Sequence, residues 1–149
     1  MEIKRIGIEE SNLVVPLFDL YRQFYKQESD IRLAENFIRE RLSNNESVIF
    51  VALENHIPVG FTQLYPKYSS MRASKNWILN DLYVISEHRK TGIGRDLVTK
   101  AMQFAKSEGA AFVQLETAFD NYAAQHLYEA IGFKKQEPET EFLLYKIGV

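Results

Sequence analysis

The chain has 149 residues, 46% of them hydrophobic and 26% charged, with a formal net charge of -2 and no cysteine. These figures fit one soluble domain, 1–149, that buries roughly 70% of the surface its unfolded chain exposes. They exclude a disulfide framework, a thiolate metal site, a cysteine nucleophile and a broad basic field for nucleic acid. No apolar run is long enough to span a bilayer, and MEIKRIGIEE lacks the apolar core of a signal peptide. No membrane partner is therefore expected, and the expected compartment is the cytoplasm.

MEIKRIGI alternates apolar and polar residues and predicts a first strand. EESNLVVPLFDLYRQFYKQ predicts a helix with Leu13, Leu17, Leu20, Tyr21 and Phe24 on one face, and DIRLAENFIRERLSNN a second helix. SVIFVALE and VGFTQLYP, separated by NHIP, predict a hairpin. YSSMRASKN reads as a polar loop and WILNDLYVIS as a strand. IGRDLVTKAMQFAKSEGA is helical, with Ile93, Leu97, Val98, Ala101 and Ala105 at helical spacing and Gly109 as its stop. AAFVQLET predicts another strand. NYAAQHLYEAIGF predicts a helix, with Ala124, Leu127, Tyr128 and Ile131 on one face and Gly132 at its end. TEFLLYKIGV closes the chain as a last strand. The alternation of hairpins with one central β-α-β unit predicts an α+β fold. No repeat, low-complexity tract or linker marks a domain boundary.

The segment HRKTGIGRDLV sets basic residues and two glycines directly before a helix. It contains neither G-x-x-x-x-G-K-[ST] nor a complete G-x-G-x-x-G, because Leu97 stands where the third glycine belongs. What it does contain is R-x-x-G-x-G, from Arg89 to Gly94. A plain turn satisfies that string. So does a phosphate seat, because a helix start offers unpaired N–H groups and a positive dipole end.

Together with N-x-x-A-x-x-L-Y-x-x-x-G-F, formed by Asn121, Ala124, Leu127, Tyr128, Gly132 and Phe133, this segment resembles the GNAT superfamily of N-acetyltransferases. The likeness is clear from Trp77 to Phe133. It implies a GNAT-like mixed central sheet flanked by helices, in the order β-α-α-β-β-β-α-β-α-β-β. The implied activity moves the acetyl group of acetyl-CoA, as co-substrate, directly to a primary amine in a ternary complex. The acceptor would be a small molecule such as a polyamine, an amino acid or an aminoglycoside. A protein or peptide acceptor is an alternative, and so is a non-catalytic acyl-CoA-binding module. Many members of the superfamily pair, so a homodimer is an open state.

By that resemblance the diphosphate lies on the backbone of Thr91, Gly92, Ile93, Gly94 and Arg95, where the two glycines carry no Cβ to keep it away and Arg89, Lys90 and Arg95 offset its charge. The pantetheine arm pairs with the main chain of Leu82 and Val84, on either side of Tyr83. Asn121 caps its helix or contacts the cofactor together with Ala124.

Tyr128 matches the tyrosine that protonates the departing thiolate, a task that a phenol with a pKa of about 10 can perform; a packed tyrosine on the apolar face satisfies the spacing equally. The base is less plain. An alkylammonium must lose a proton at a cost of about 4 to 5 kcal/mol at pH 7, yet Asn80 stands where several amine acetyltransferases carry glutamate. Asp81 and Glu116 are the candidates, and a water relay needs neither. Asp81 is expected to face away from Asn80, as strand neighbours do.

The resemblance implies an acceptor pocket between the N-terminal helices and the sheet, with Tyr21, Tyr25, Glu28 and Asn80 as its residues, where aromatic and acidic groups suit a cation. Phe24 and Trp77 are expected in the core. His56, His88 and His126 have no metal-ligand spacing and are expected to face solvent, so no metal is implied.

Overall fold

Pro16 lacks an N–H and its ring fixes φ, which suits the first turn of a helix, and there the chain divides what the sequence predicts as one helix. In the computed structural model, which describes all of residues 1–149, a 3-10 turn over Ile8–Leu13 is followed by α1, Val15–Phe24. Strand β1, Glu2–Arg5, precedes them. Lys26 then takes a left-handed φ of 65°, and Asp30 caps α2, Ile31–Ser43, by accepting from the Leu33 amide at 3.0 Å.

The predicted hairpin forms from β2, Val48–Glu54, and β3, Ile57–Ser69. Its turn is only Asn55 and His56, both at positive φ, 49° and 66°, the geometry that matches the twist of the flanking strands. The stretch read as a polar loop is largely strand. β3 runs to Ser69 and β4, Ser74–Val84, begins directly after a four-residue turn, 70–73, because pairing of Tyr68 with Lys75 and Lys67 with Asn76 extends the ladder past its apolar part.

The chain then enters α3, Ile93–Ser107, and β5, Val113–Gln114. β5 is much shorter than predicted. The Oδ1 of the buried Asn76 side chain takes the amides of Ala111 and Phe112 at 2.8 and 3.3 Å, which keeps those N–H groups out of the ladder. The sheet has the order β1-β2-β3-β4-β5, antiparallel except between β4 and β5.

Helices cover both faces of this sheet. Ile49, Val51 and Leu53 of β2 pack with Leu17 and Phe18 of α1 and Ala34 and Ile38 of α2. Phe50 points the other way, to Phe104 of α3, with ring centroids 5.9 Å apart. All five apolar positions predicted on α3 are buried. Trp77 is buried as expected and lies 5.0 Å from Phe104. Phe24 is not in the core: at 54% exposure it stands on the last turn of α1, and Leu20 is also exposed. Of the predicted face, Leu17 is the fully buried member within α1.

Contacts divide the chain into two compact units, Met1–Glu116 and Thr117–Val149. The second contains α4, Tyr122–Ile131, capped by the Asn121 side chain, which accepts from the Ala124 amide at 3.2 Å, and ended by Gly132 at φ 122°. Tyr128 and Phe133 meet edge to face at 5.9 Å. The predicted last strand does not form. Residues 140–149 make no ladder and Phe142, Leu144 and Ile147 are exposed, for β-propensity describes a surface that fits a partner and does not by itself make a strand.

Candidate active site

The site is built where the β3–β4 ladder slips. Gln63 pairs with Asp81 but the next residue, Leu64, pairs with Leu79, so Asn80 is an extra residue, a β-bulge. The sequence gives no sign of it. Asn80 is exposed and Asp81 is 2% exposed, as the alternation of a strand predicts. The two side chains nevertheless meet, Asn80 Nδ2 donating to Asp81 Oδ1 at 2.8 Å, because the bulge bends the strand between them.

Asp81 gathers a polar cluster beneath the bulge. The Gln63 amide donates to its other carboxylate oxygen, and the Tyr21 hydroxyl, at 3.5 Å from the Asn80 carbonyl oxygen, also reaches the carboxylate. Burial pushes the Asp81 carboxyl above the ordinary aspartate range, and the donors Asn80, Gln63 and Tyr21 oppose that rise. Tyr21 is pushed upward by its own burial and then by the Asp81 carboxylate, so its hydroxyl keeps its proton. Tyr65 shifts the same way for the same two reasons. Gln63 and Tyr65 are missing from the sequence-derived site. The one local signal was a pair of polar residues, Thr62 and Gln63, inside an apolar strand.

Beyond the bulge β4 has a free edge. The Ile85 amide bonds to the Val59 carbonyl at 2.9 Å, which puts Ile85 and Tyr83 in the pairs that face β3. Leu82 and Val84 therefore turn their N–H and C=O groups to the opposite side. There β5 pairs only with Trp77 and Ile78, leaving Asn80 to Val84 without a strand neighbour.

The glycine segment lies at the end of this edge. Gly92 has φ 92° and is the N-cap of α3, with open space where a Cβ would stand. No side chain caps the helix, and the first intrahelical bond is Asp96 N–H to the Gly92 carbonyl, so Ile93, Gly94 and Arg95 keep their amides unpaired. The Ile93 side chain is core, while Lys90, Thr91 and Arg95 are exposed. The Thr91 hydroxyl donates to the His88 carbonyl at 2.5 Å. Arg89 turns back, its Nε donating to the Val84 carbonyl at 2.8 Å. His88 is half-buried with a buried Nδ1, unlike the expected solvent-facing ring; His56 and His126 are exposed. No group of side chains is arranged to hold a metal ion.

On α1 the exposed rings of Phe24 and Tyr25 meet at 5.2 Å, and Tyr25 meets Tyr21 at 5.0 Å. The structure thus brings Tyr21, Asn80 and Asp81 together, and Tyr83, Val84 and Arg89 together. Glu28 is exposed on the loop after α1, and its backbone carbonyl receives Arg22 Nη1 at 3.3 Å. Glu116 is exposed beyond β5. Asn121, Ala124 and Tyr128 belong to the second unit.

The model of the acetyltransferase (GNAT) family matches residues 14–133. Among curated proteins, an uncharacterised N-acetyltransferase, YhfO, of Bacillus subtilis (strain 168) is 41% identical over 149 residues, covering 100% of this chain and 98% of that protein. Among solved structures, that of a probable acetyltransferase is similar with a TM-score of 0.88 at 37% identity, covering 100% of this chain and 98% of the other. An aminoglycoside N-acetyltransferase in complex with CoA shares the fold, with a TM-score of 0.81 at 16% identity, covering 97% and 93%.

Proposed function

Because the chain belongs to the acetyltransferase (GNAT) family and is thereby an N-acetyltransferase, we propose that its acceptor is the primary amine of a small cationic molecule, acetylated directly within a ternary complex. The observation that carries this is the open edge of β4 from Asn80 to Val84, which runs from the Asp81 cluster to the uncapped start of α3.

Those residues suit acetyl-CoA. The unpaired amides of Ile93, Gly94 and Arg95 and the open space at Gly92 accept an anion, with Lys90 and Arg95 supplying charge. The outward main-chain groups of Leu82 and Val84 suit an extended amide arm. When bound, acetyl-CoA supplies an activated thioester. Zero cysteines and no G-x-S-x-G leave the usual acyl-enzyme nucleophiles out.

The acceptor ammonium meets Tyr21, Tyr25 and Phe24 at the C-terminal, negative end of α1, where ring faces and the helix dipole both favour a cation. Its proton passes to the Tyr21 oxygen as the Tyr21 proton moves to Asp81, whose proton affinity burial raises above that of an ordinary aspartate. The neutral amine is then free to attack. Tyr128 gives its proton to the leaving sulfur as the C–S bond breaks and regains one through solvent from the newly acylated nitrogen, and 1–149 act as one catalytic domain, in keeping with a family match that spans 14–133.

The test is consumption of acetyl-CoA by the purified chain over polyamines, amino acids, aminoglycosides and short peptides. Turnover with a free small amine supports the proposal. Turnover restricted to peptides overturns the acceptor class.

A further inference from the structure

We infer that Arg89 is a positioning residue that ties the end of β4 to the end of α1, and that it does not pair with the diphosphate. This rests on the proposal that the open edge of β4 and the start of α3 receive acetyl-CoA.

Three groups hold its guanidinium. The Nε donates to the Val84 carbonyl oxygen at 2.8 Å. The Cζ lies 5.3 Å from the centroid of Tyr83, on the same strand, and 5.8 Å from that of Phe24, on α1. A planar guanidinium can donate at its edge while its faces meet aromatic rings, and a lysine ammonium cannot reproduce that arrangement. The position of Phe24 then has an explanation. An apolar ring is left 54% exposed on the last turn of α1, facing a cation from the cofactor side.

The consequence is a division of labour among the three basic residues of the loop. Arg89, Lys90 and Arg95 are all exposed and none is in a salt bridge, but Arg89 alone lies against a carbonyl and two ring faces. Attraction across solvent is screened by salt over a Debye length of about 10 Å at 0.1 M, and a 2.8 Å hydrogen bond with its ring contacts is shorter than that and is screened far less. Arg89 also takes one lone pair of the Val84 carbonyl, so of that residue's outward groups the N–H is the one that no protein atom fills. Through Phe24 it joins the wall that meets the acceptor to the strand that meets the cofactor.

The test is calorimetric titration of the full chain with CoA at low, intermediate and high salt. Arg95→Ala and Lys90→Ala flatten the fall of affinity with salt. Arg89→Ala weakens binding about three- to ten-fold at every salt concentration and keeps the wild-type slope. Arg89→Lys behaves like Arg89→Ala, although it preserves the charge. Phe24→Ala combined with Arg89→Ala is no weaker than Arg89→Ala alone, as expected of partners in one contact. A flattened slope in Arg89→Ala, wild-type affinity in Arg89→Lys, or additive effects with Phe24→Ala overturns the inference while leaving the cofactor site standing. A wild-type chain that does not bind CoA overturns the cofactor proposal, and this inference with it.

Discussion

Gln63 and Asp81 are paired across β3 and β4 at the last in-register position before the bulge, and both side chains are buried, at 0% and 2% exposure. The Gln63 amide nitrogen donates to the carboxylate, while its Oε1 is buried with no hydrogen-bond partner. That unused acceptor makes the pair adaptable. If Asp81 becomes an amide, a half-turn of the Gln63 amide presents Oε1 to the new N–H.

Asp81→Asn is therefore expected to keep the fold while removing the proposed base. Its kcat/KM should fall at least about ten-fold. The pH profile gives the sharper check. A base works deprotonated, so the wild-type rate rises with pH through the Asp81 pKa, which burial places above the ordinary 3.8. Asp81→Asn loses that limb. Stability has the opposite slope: a raised folded-state pKa stabilises the protein below the ordinary value, and this contribution is lost as pH rises through the folded value. Thermal unfolding of wild type and variant across that range checks the sign. A variant with an unchanged acidic limb rules Asp81 out as the base.

Asp19 on α1 is also buried, at 3% exposure, and accepts from Ser29 Oγ at 2.6 Å, Asp30 N at 2.8 Å and Gln23 Nε2 at 3.0 Å. Burial pushes its pKa up, but those three donors, with Arg22 nearby, more than offset it and hold the carboxyl below 3.8. Its contribution is present above the ordinary value and disappears as pH falls through the folded one. Asp19→Ala leaves three donors without their acceptor and should cost about 2 to 4 kcal/mol, a fall in Tm of roughly 5 to 15 °C. Hydrogen exchange should rise at residues 25–30, the loop that Asp19 holds. Protection there equal to the wild type would show that other contacts fix the loop.

Local features of this chain were readable and long-range ones were not. The spacing of Leu97, Val98, Ala101 and Ala105 determines which side of α3 is apolar, and all four are buried. The glycine segment was legible because a helix start and its unpaired amides are properties of neighbours in sequence. The bulge at Asn80 was not, since an extra residue leaves the apolar alternation of β4 intact up to the slip. Nor was the Asp81 cluster, which draws Tyr21 from α1 and Gln63 from β3. Phe24 fits the apolar face of α1 by spacing but lies at the helix end, where the sheet no longer covers it. Residues 140–149 have the composition of a strand and no ladder partner, and pairing is a property of two segments.

Tyr128 lies on α4 with its ring against Phe133. If its hydroxyl protonates the leaving thiolate, Tyr128→Phe lowers kcat about 100-fold, because general acid catalysis contributes on that order. The ring stays, so its packing and the affinity for acetyl-CoA stay within about two-fold of wild type. Single-turnover kinetics beside direct CoA titration separates the two effects. Equal turnover would assign Tyr128 to packing alone.

Gly60 is the place where the sheet admits no side chain. A Cβ there would stand 2.9 Å from the Tyr83 carbonyl oxygen, 3.2 Å from Val84 Cγ2 and 3.3 Å from Leu97 Cδ1. The nearest atom is backbone and cannot rotate aside, and Leu97 is fully buried. Gly60→Ala must therefore move β4 away from β3 at Tyr83 and Val84, or push α3 off the sheet. Overpacking of this kind costs about 1 to 3 kcal/mol. Gly7→Ala is the control, since nothing lies within 4 Å of a Cβ there and its φ of -105° suits any residue. The displaced residues belong to the open edge proposed for the pantetheine arm, so Gly60→Ala should lower CoA affinity as well as Tm, and Gly7→Ala neither. A Gly60→Ala protein that loses stability but binds CoA as tightly as wild type would separate that edge from the cofactor site.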